Sequence, residues 1–220
     1  RRSNQAGDTV TAMEGRRRCH ESGATGPLLE AIADILAATP DDVVLDAGCG
    51  DGFYLGSLAQ KTGCGAHGVD ISVPAIDAAA KRYPACEWIV ANADRFVPYA
   101  GRSFSAVLSI TARMNPGEFR RVLRDDGRLL VALPGPEDLV ELRGAGRDRV
   151  ERTVETFAPQ FALAEKRQVS TTAELDAALV QDVLNSIYRP MHARPAEAMR
   201  VTFSLDLLLF LLLVLLGGET

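Results

Sequence analysis

The chain has 220 residues, a formal net charge of −5 and 47% hydrophobic residues. That length suits one large α/β domain with a small appendage, and the acidic balance excludes a bulk nucleic-acid binder, so any RNA contact must be local. The cysteines at 19, 49, 64 and 86 form no C-x-x-C pair, which argues against a zinc site and a disulfide scaffold and predicts a reducing, cytoplasmic setting.

Residues 1–26 read as an N-terminal linker or helical segment carrying Arg16, Arg17 and Arg18, and the opening on Arg1 rather than Met predicts an incomplete or trimmed N-terminus. Pro27 to Ala38 has the apolar period of an amphipathic helix. Strand one, Val43 to Asp46, runs straight into Ala47-Gly48-Cys49-Gly50-Asp51-Gly52. Three alternating glycines without Cβ atoms let the backbone approach a ligand closely before a helix opens at Phe53, whose first N–H groups then face that ligand. Strand two, Ala66 to Asp70, ends in a second carboxylate about twenty residues beyond Gly50, where doubly wound folds place an acid on ribose hydroxyls.

Pro74 to Tyr83 is an Ala-rich helix with proline in its first turn. Strand three, Glu87 to Ala91, leads into Asn92-Ala93-Asp94. Strand four is Phe104 to Ile110, and Asn115-Pro116 opens a helix through Leu123 that stops before Asp125-Asp126-Gly127. Strand five is Arg128 to Leu133, strand six Phe161 to Val169, and Thr172 to Ile187 reads as a helix. In the last strand, Val201 to about Phe210, Val201, Phe203 and Leu205 alternate with Thr202, Ser204 and Asp206. The apolar run Leu207 to Leu216 is ten residues long, about half of what a membrane-spanning helix needs, so no membrane is expected. Residues 211–220 read as an apolar tail, an interface or aggregation liability. Alternating strands and helices predict an α/β, Rossmann-like architecture: a mostly parallel seven-stranded sheet with helices on both faces, the main domain spanning residues 27–210.

The order D-x-G-x-G-x-G at 46–52 resembles motif I of class I S-adenosylmethionine (SAM)-dependent methyltransferases more than the G-x-G-x-x-G of nicotinamide-binding folds. That resemblance implies SAM as cofactor, held by Asp46, Gly48, Cys49, Gly50, Asp51 and Gly52. It implies ribose contacts from Asp70 and adenine contacts from Asn92, Ala93 and Asp94, with Ile71, Ser109 and Tyr54 at the same pocket. The competing reading of the acids is plain turn chemistry at strand ends.

A narrower resemblance follows. Asp70-Ile71-Ser72, Pro74-Ala75-Ile76 and Ala78 to Pro84 resemble the second motif of the bacterial rRNA guanine-N1 methyltransferases, the family that includes tylosin- and mycinamicin-resistance enzymes. Glu118 to Arg124 and the P-G-P-x-x-L-x-E-L run from Pro134 to Leu142 resemble that family's strand-five region. Arg1-Arg2-Ser3, Gly7-Asp8, Met13 and Arg16 to Arg18 resemble its linker, so the resemblance covers residues 1 to about 205. It implies methylation of guanine N1 in large-subunit ribosomal RNA. The chain also departs from the family: the zinc module that precedes the linker is not in it, Thr25 takes the place of a cofactor-contacting Tyr, and Asp138 that of a frequent His.

Guanine N1 must lose its proton before it can accept a methyl group, which makes Asp138 and Asp94 the sequence-level candidates for a general base. Against that stand an N-cap role for Asp138 and adenine binding for Asp94, and no catalytic residue is assigned. Ser109 to Met114 lacks the Asn/Asp-Pro-Pro-aromatic loop of exocyclic-amine methyltransferases, and Arg113 there faces a phosphate, closes the acceptor pocket or is solvated. Arg16 to Arg18 either touch an RNA backbone or form a solvated helix end. His20, His67 and His192 share no ligand spacing, so no metal is expected. The alternatives are a small-molecule methyltransferase and a non-catalytic SAM-binding protein whose tail supplies an interface, with a homodimer possible.

Overall fold

The computed structural model describes residues 9–112, 114–187 and 196–213. Arg1 to Ser3, Gly7, Asp8, Arg113, His192 and the apolar run past Leu213, all singled out above, lie outside the described residues.

Two helices, α1 (Val10–Glu21) and α2 (Gly26–Leu36), precede β1 (Val43–Ala47). Then come α3 (Phe53–Thr62), β2 (Gly65–Asp70), α4 (Val73–Arg82), β3 (Glu87–Val90), β4 (Phe104–Ile110), α5 (Pro116–Val122) and β5 (Leu123–Pro134). The chain continues through α6 (Val140–Arg143), α7 (Val150–Phe157), β6 (Phe161–Leu175), α8 (Ala177–Ser186) and β7 (Met199–Leu212). The strands form one seven-stranded sheet in the order β3-β2-β1-β4-β5-β7-β6. β1 to β5 pair in parallel, and β7 inserts antiparallel between β5 and β6. The expected α/β, mostly parallel sheet is present. From β1 the chain crosses to β2 on one side and later returns to β4 on the other. That reversal opens a crevice at the carboxyl ends of β1 and β4, where doubly wound sheets bind ligands.

Helices cover both faces. Ile32, Leu36, Leu55, Leu58, Val180 and Val183 pack on Val44, Ala106, Leu108, Leu130 and Leu207. On the other face Phe119, Val122, Val150 and Phe157 pack on Leu45, Val107, Leu129, Leu208 and Phe210. Leu207 and Leu208 thus point into different cores, and this accounts for the leucine run. A strand interior to a sheet covered on both faces reads as continuously apolar rather than alternating. β7 passes the expected end at Phe210: Leu211 pairs with Arg128 and Ala162, Leu212 pairs with Phe161, and Leu213 N–H donates to Gln160 O at 2.9 Å. Residues 211 and 212 are therefore sheet, not tail. Among the described residues no helix is long and apolar enough to cross a membrane.

Two other boundaries differ from expectation. Thr172 to Leu175 continue β6 instead of opening a helix, because Val169, Thr171 and Ala173 keep a strand's alternation and pair with Leu205, Phe203 and Val201. Asp176 then accepts from Leu179 N–H at 2.8 Å and caps α8. β5 begins at Leu123, directly after α5, and Asp125-Asp126-Gly127 is an outpouching where the β4–β5 register shifts between Phe104/Leu123 and Ala106/Arg128. Helix α7, outside the expected elements, buries Val150, Thr153 and Phe157 at helical spacing.

The P-G-P-x-x-L-x-E-L run has a definite mechanical role. β5 ends at Pro134, opposite Leu205, which leaves residues 202–204 of β7 without a β5 partner. The run supplies one: Gly135 N–H donates to Ser204 O at 3.0 Å, and Leu139 N–H to Thr202 O at 2.7 Å. Asp138 accepts from Ser204 N–H at 2.9 Å, and Glu141 accepts from the Thr202 N–H and hydroxyl at 2.9 and 2.5 Å. Gly135 is required because a Cβ there would lie 2.5 Å from Ser204 Oγ. Glu141→Ala should strand the buried Thr202 donors and cost about 1–3 kcal/mol, read as a lower urea midpoint with an unchanged slope.

Candidate active site

The crevice is built by the turn after β1. Gly48 and Cys49 N–H both donate to Val69 O, at 2.8 and 3.1 Å, which ties the turn to β2. Gly50 has φ +55° and Gly52 φ +78°, in the left-handed region that disfavours a side chain. They use this freedom differently. A Cβ on Gly52 would lie 2.4 Å from the Trp88 indole, so Gly52 lets α3 pack on β3, whereas a Cβ on Gly50 would meet nothing within 4 Å. Gly50 therefore presents bare backbone to open space, as a loop cradling a ligand must.

Asp70 stands beside it. Its Oδ2 accepts from Gly50 N–H at 2.9 Å and its Oδ1 from Ser72 N–H at 2.8 Å, so the carboxylate is fixed in orientation and each oxygen keeps a lone pair for a ribose hydroxyl. Ile71 follows, 39% exposed, as an apolar surface at the crevice rim. The segment after β3 is pinned as well: Asn92 Oδ1 accepts from Asp94 N–H at 3.0 Å, and Asn115 Nδ2 donates to the carbonyls of Ala93 and Asp94 at 3.3 and 3.0 Å. Asn115 also accepts from Glu118 N–H and caps α5, so one side chain sets both the helix start and the loop.

Asp46 is buried, and its Oδ1 has no hydrogen-bond partner. Burial, with the like charge of Asp70, pushes its carboxyl up to about 8. Cys49 is buried beside it, its thiol pushed well above the ordinary range by burial and by Asp46 and Asp70. Asp51 is buried and paired with Arg17 at 3.4 Å. Ser109 is buried with an unpartnered hydroxyl. It alternates with Leu108 and Ile110 and so faces the opposite side of the sheet from Asp46, which shares its face with Val44 and Leu108.

At the start of α3, after the glycine turn, Phe53 and Tyr54 meet a histidine that no motif marks. His20, near the end of α1, stacks on Phe53 with ring centroids 4.1 Å apart and planes 4° apart, and its Nδ1 lies 2.6 Å from the Thr25 hydroxyl. Burial and the charges of Arg16 and Arg82 push its imidazole down to about 3, so the ring is neutral. Thr25 is thereby engaged with His20. Tyr54 meets both rings edge-on, and burial together with the charge of Asp138 raises its phenol above the usual range. No ligand spacing or motif marks His20, because Thr25, the N-cap of α2, and Phe53, the first residue of α3, meet it only in the folded chain.

Asp138 is not the N-cap of α6. That position is Leu139, without a side-chain cap bond, while Asp138 binds Ser204 N–H through Oδ1 and Arg143 Nη2 through Oδ2 at 2.7 Å. The arginine run is also committed to the fold. Arg18 grips Asp182 of α8 with two bonds of 2.7 Å, and Arg17 holds Asp51. Both side chains dock α1 rather than forming a free strip for phosphates.

Comparisons with known proteins agree with this geometry. Residues 44–131 match the family model described as a methyltransferase domain. Over 207 residues the chain is 31% identical to the 23S rRNA (guanine(748)-N(1))-methyltransferase of Streptomyces fradiae, which covers 89% of this chain and 74% of that protein. A Bacillus subtilis strain 168 protein named as a candidate 23S rRNA (guanine-N1)-methyltransferase is 36% identical over 132 residues, 56% of this chain and 46% of that one. The chain thus spans about three quarters of the first relative and under half of the second. Among solved structures, the YcgJ protein of Bacillus subtilis superposes with a TM-score of 0.59 at 17% identity, covering 83% of this chain and 97% of that one, a likeness of fold alone. With a glycine turn that bares its backbone beside a fixed acid, and a latch that explains the P-G-P-x-x-L-x-E-L run, the chain belongs to the 23S rRNA (guanine-N1)-methyltransferase family and is a class I SAM-dependent methyltransferase.

Proposed function

We propose that this chain methylates N1 of a guanine in large-subunit ribosomal RNA. The observation that carries the reading is the match along 89% of the chain to a relative of that activity, joined to a crevice whose features fit SAM. Space opens over Gly50, and the buried Asp46 oxygen lacks a partner.

When bound, SAM supplies a methyl group made electrophilic by its sulfonium. The chain's own part is positional. Asp70 would hold the ribose, the segment 92–94 locked by Asn115 would border the adenine, and Gly50 would lie against the amino-acid half. The stacked His20 and Phe53, with Tyr54 edge-on, form an aromatic group at the start of α3, directly after the glycine turn, that would help keep water from the donor. Asp138 spends both oxygens on the β7 latch and Arg143, so the geometry favours anchoring over proton abstraction for it. The free thiols of Cys19, Cys49, Cys64 and Cys86 suit a reducing cytoplasm.

The test is transfer of labelled methyl from SAM to large-subunit rRNA fragments, followed by mapping of the modified nucleotide. Label at guanine N1 is the expected result. Unlabelled RNA alongside a methylated small metabolite from the same cell extract would replace the RNA acceptor with a small one.

A further inference from the structure

Asp46, at the end of β1 beside the glycine turn, is 2% exposed, and its Oδ1 has no hydrogen-bond partner. The groups that face it offer no compensation. Asp70 comes from β2, Cys49 and then Asp51 from the glycine turn, Tyr54 from α3 and the apolar Leu108 from β4. Each is acidic or neutral. Asp51, the next acid along the turn, already has its cation in Arg17. A carboxylate removed from water and set beside a second carboxylate without a counter-charge is disfavoured, and the group keeps its proton instead. The pKa of about 8 that burial and Asp70 impose agrees with this.

A cation in the crevice reverses the balance, because it gives the ionised form the partner it lacks. SAM is cationic at its sulfonium and at its ammonium. We propose that Asp46 is a proton-exchange site for the donor: neutral in the empty crevice, it releases its proton to solvent as SAM enters and pairs as a carboxylate with the donor's positive charge. The inference rests on the SAM reading above. Only the Asp46 O–H bond breaks, the proton goes to the buffer, and the carboxylate retains the electron pair. SAM binding is then tied to pH through one residue. Protons compete with the donor, so affinity falls as the solution becomes more acidic.

The experiment is calorimetric titration of the full chain with SAM in two buffers of different ionisation enthalpy, repeated between pH 5.5 and 7. In that window Asp46 should be almost fully protonated before binding, so about one proton is released per SAM and affinity rises about tenfold per pH unit. Asp46→Asn, checked for folding by circular dichroism, should bind SAM with no proton released and no pH slope. SAM binding by the unaltered chain without proton release overturns the proposal, as does full release by folded Asp46→Asn. The count on the unaltered chain stands even if the variant fails to fold. Absence of SAM binding at every pH in equilibrium dialysis is a different result, since it overturns the donor reading itself.

Discussion

Asp70→Ala should weaken SAM binding by roughly 1.5–3 kcal/mol, about ten- to a hundredfold, the scale of lost hydrogen bonds to a charged group. Two losses combine. The ribose hydroxyls lose their acceptor, and Gly50 and Ser72 lose the carboxylate that holds their N–H groups at 2.9 and 2.8 Å, so the glycine turn loses its orientation as well. Asp70→Asn keeps one acceptor oxygen and should fall between the two. Calorimetry on variants with native circular dichroism decides, and unchanged affinity in Asp70→Ala would remove the ribose role from this residue.

Phe210→Ala should be strongly destabilising, by about 3–5 kcal/mol. Phe210 is fully buried, with ring centroids 5.2 Å from Phe157 and 6.5 Å from Phe161, so truncation opens a cavity where β7, α7 and β6 meet. Against a total stability of about 5–15 kcal/mol, that loss removes a large share of the folded state's margin. Urea unfolding followed by fluorescence and circular dichroism measures it. Ending the chain at Phe210 should also lower Tm, because it deletes the pairings of Leu211 with Arg128 and of Leu212 with Phe161 and the burial of Leu212. A shortened chain as stable as the parent would show that the last two residues of β7 add nothing.

The amino-acid order by itself determined the features whose causes are local. Asp46 to Gly52 announced a tight turn between β1 and α3, because alternating glycines supply the positive φ that Gly48, Gly50 and Gly52 adopt there. The place of Asp70 at the end of β2 was legible too, because the apolar stretch before it stops at that carboxylate. The boundaries of β4 agreed to the residue, since a strand buried on both faces is a short apolar run between turn residues.

Tertiary structure alone decided what depends on partners distant in the chain. Leu211 and Leu212 read as the start of a surplus apolar tail, and only the placement of β7 between β5 and β6, with a core on each side, accounts for the leucine run that they end. Thr172 to Leu175 carry a pattern compatible with helix or strand, and pairing with Met199 to Thr202 settles it. Arg18 resembled a phosphate contact until Asp182, 164 residues away, took its guanidinium. The protonation of Asp46 has the same origin: its residue type promises a charge, but the burial and the neighbouring Asp70 that suppress it are properties of the assembled crevice. Local periodicity records which way a side chain points, and only the fold determines what it meets there.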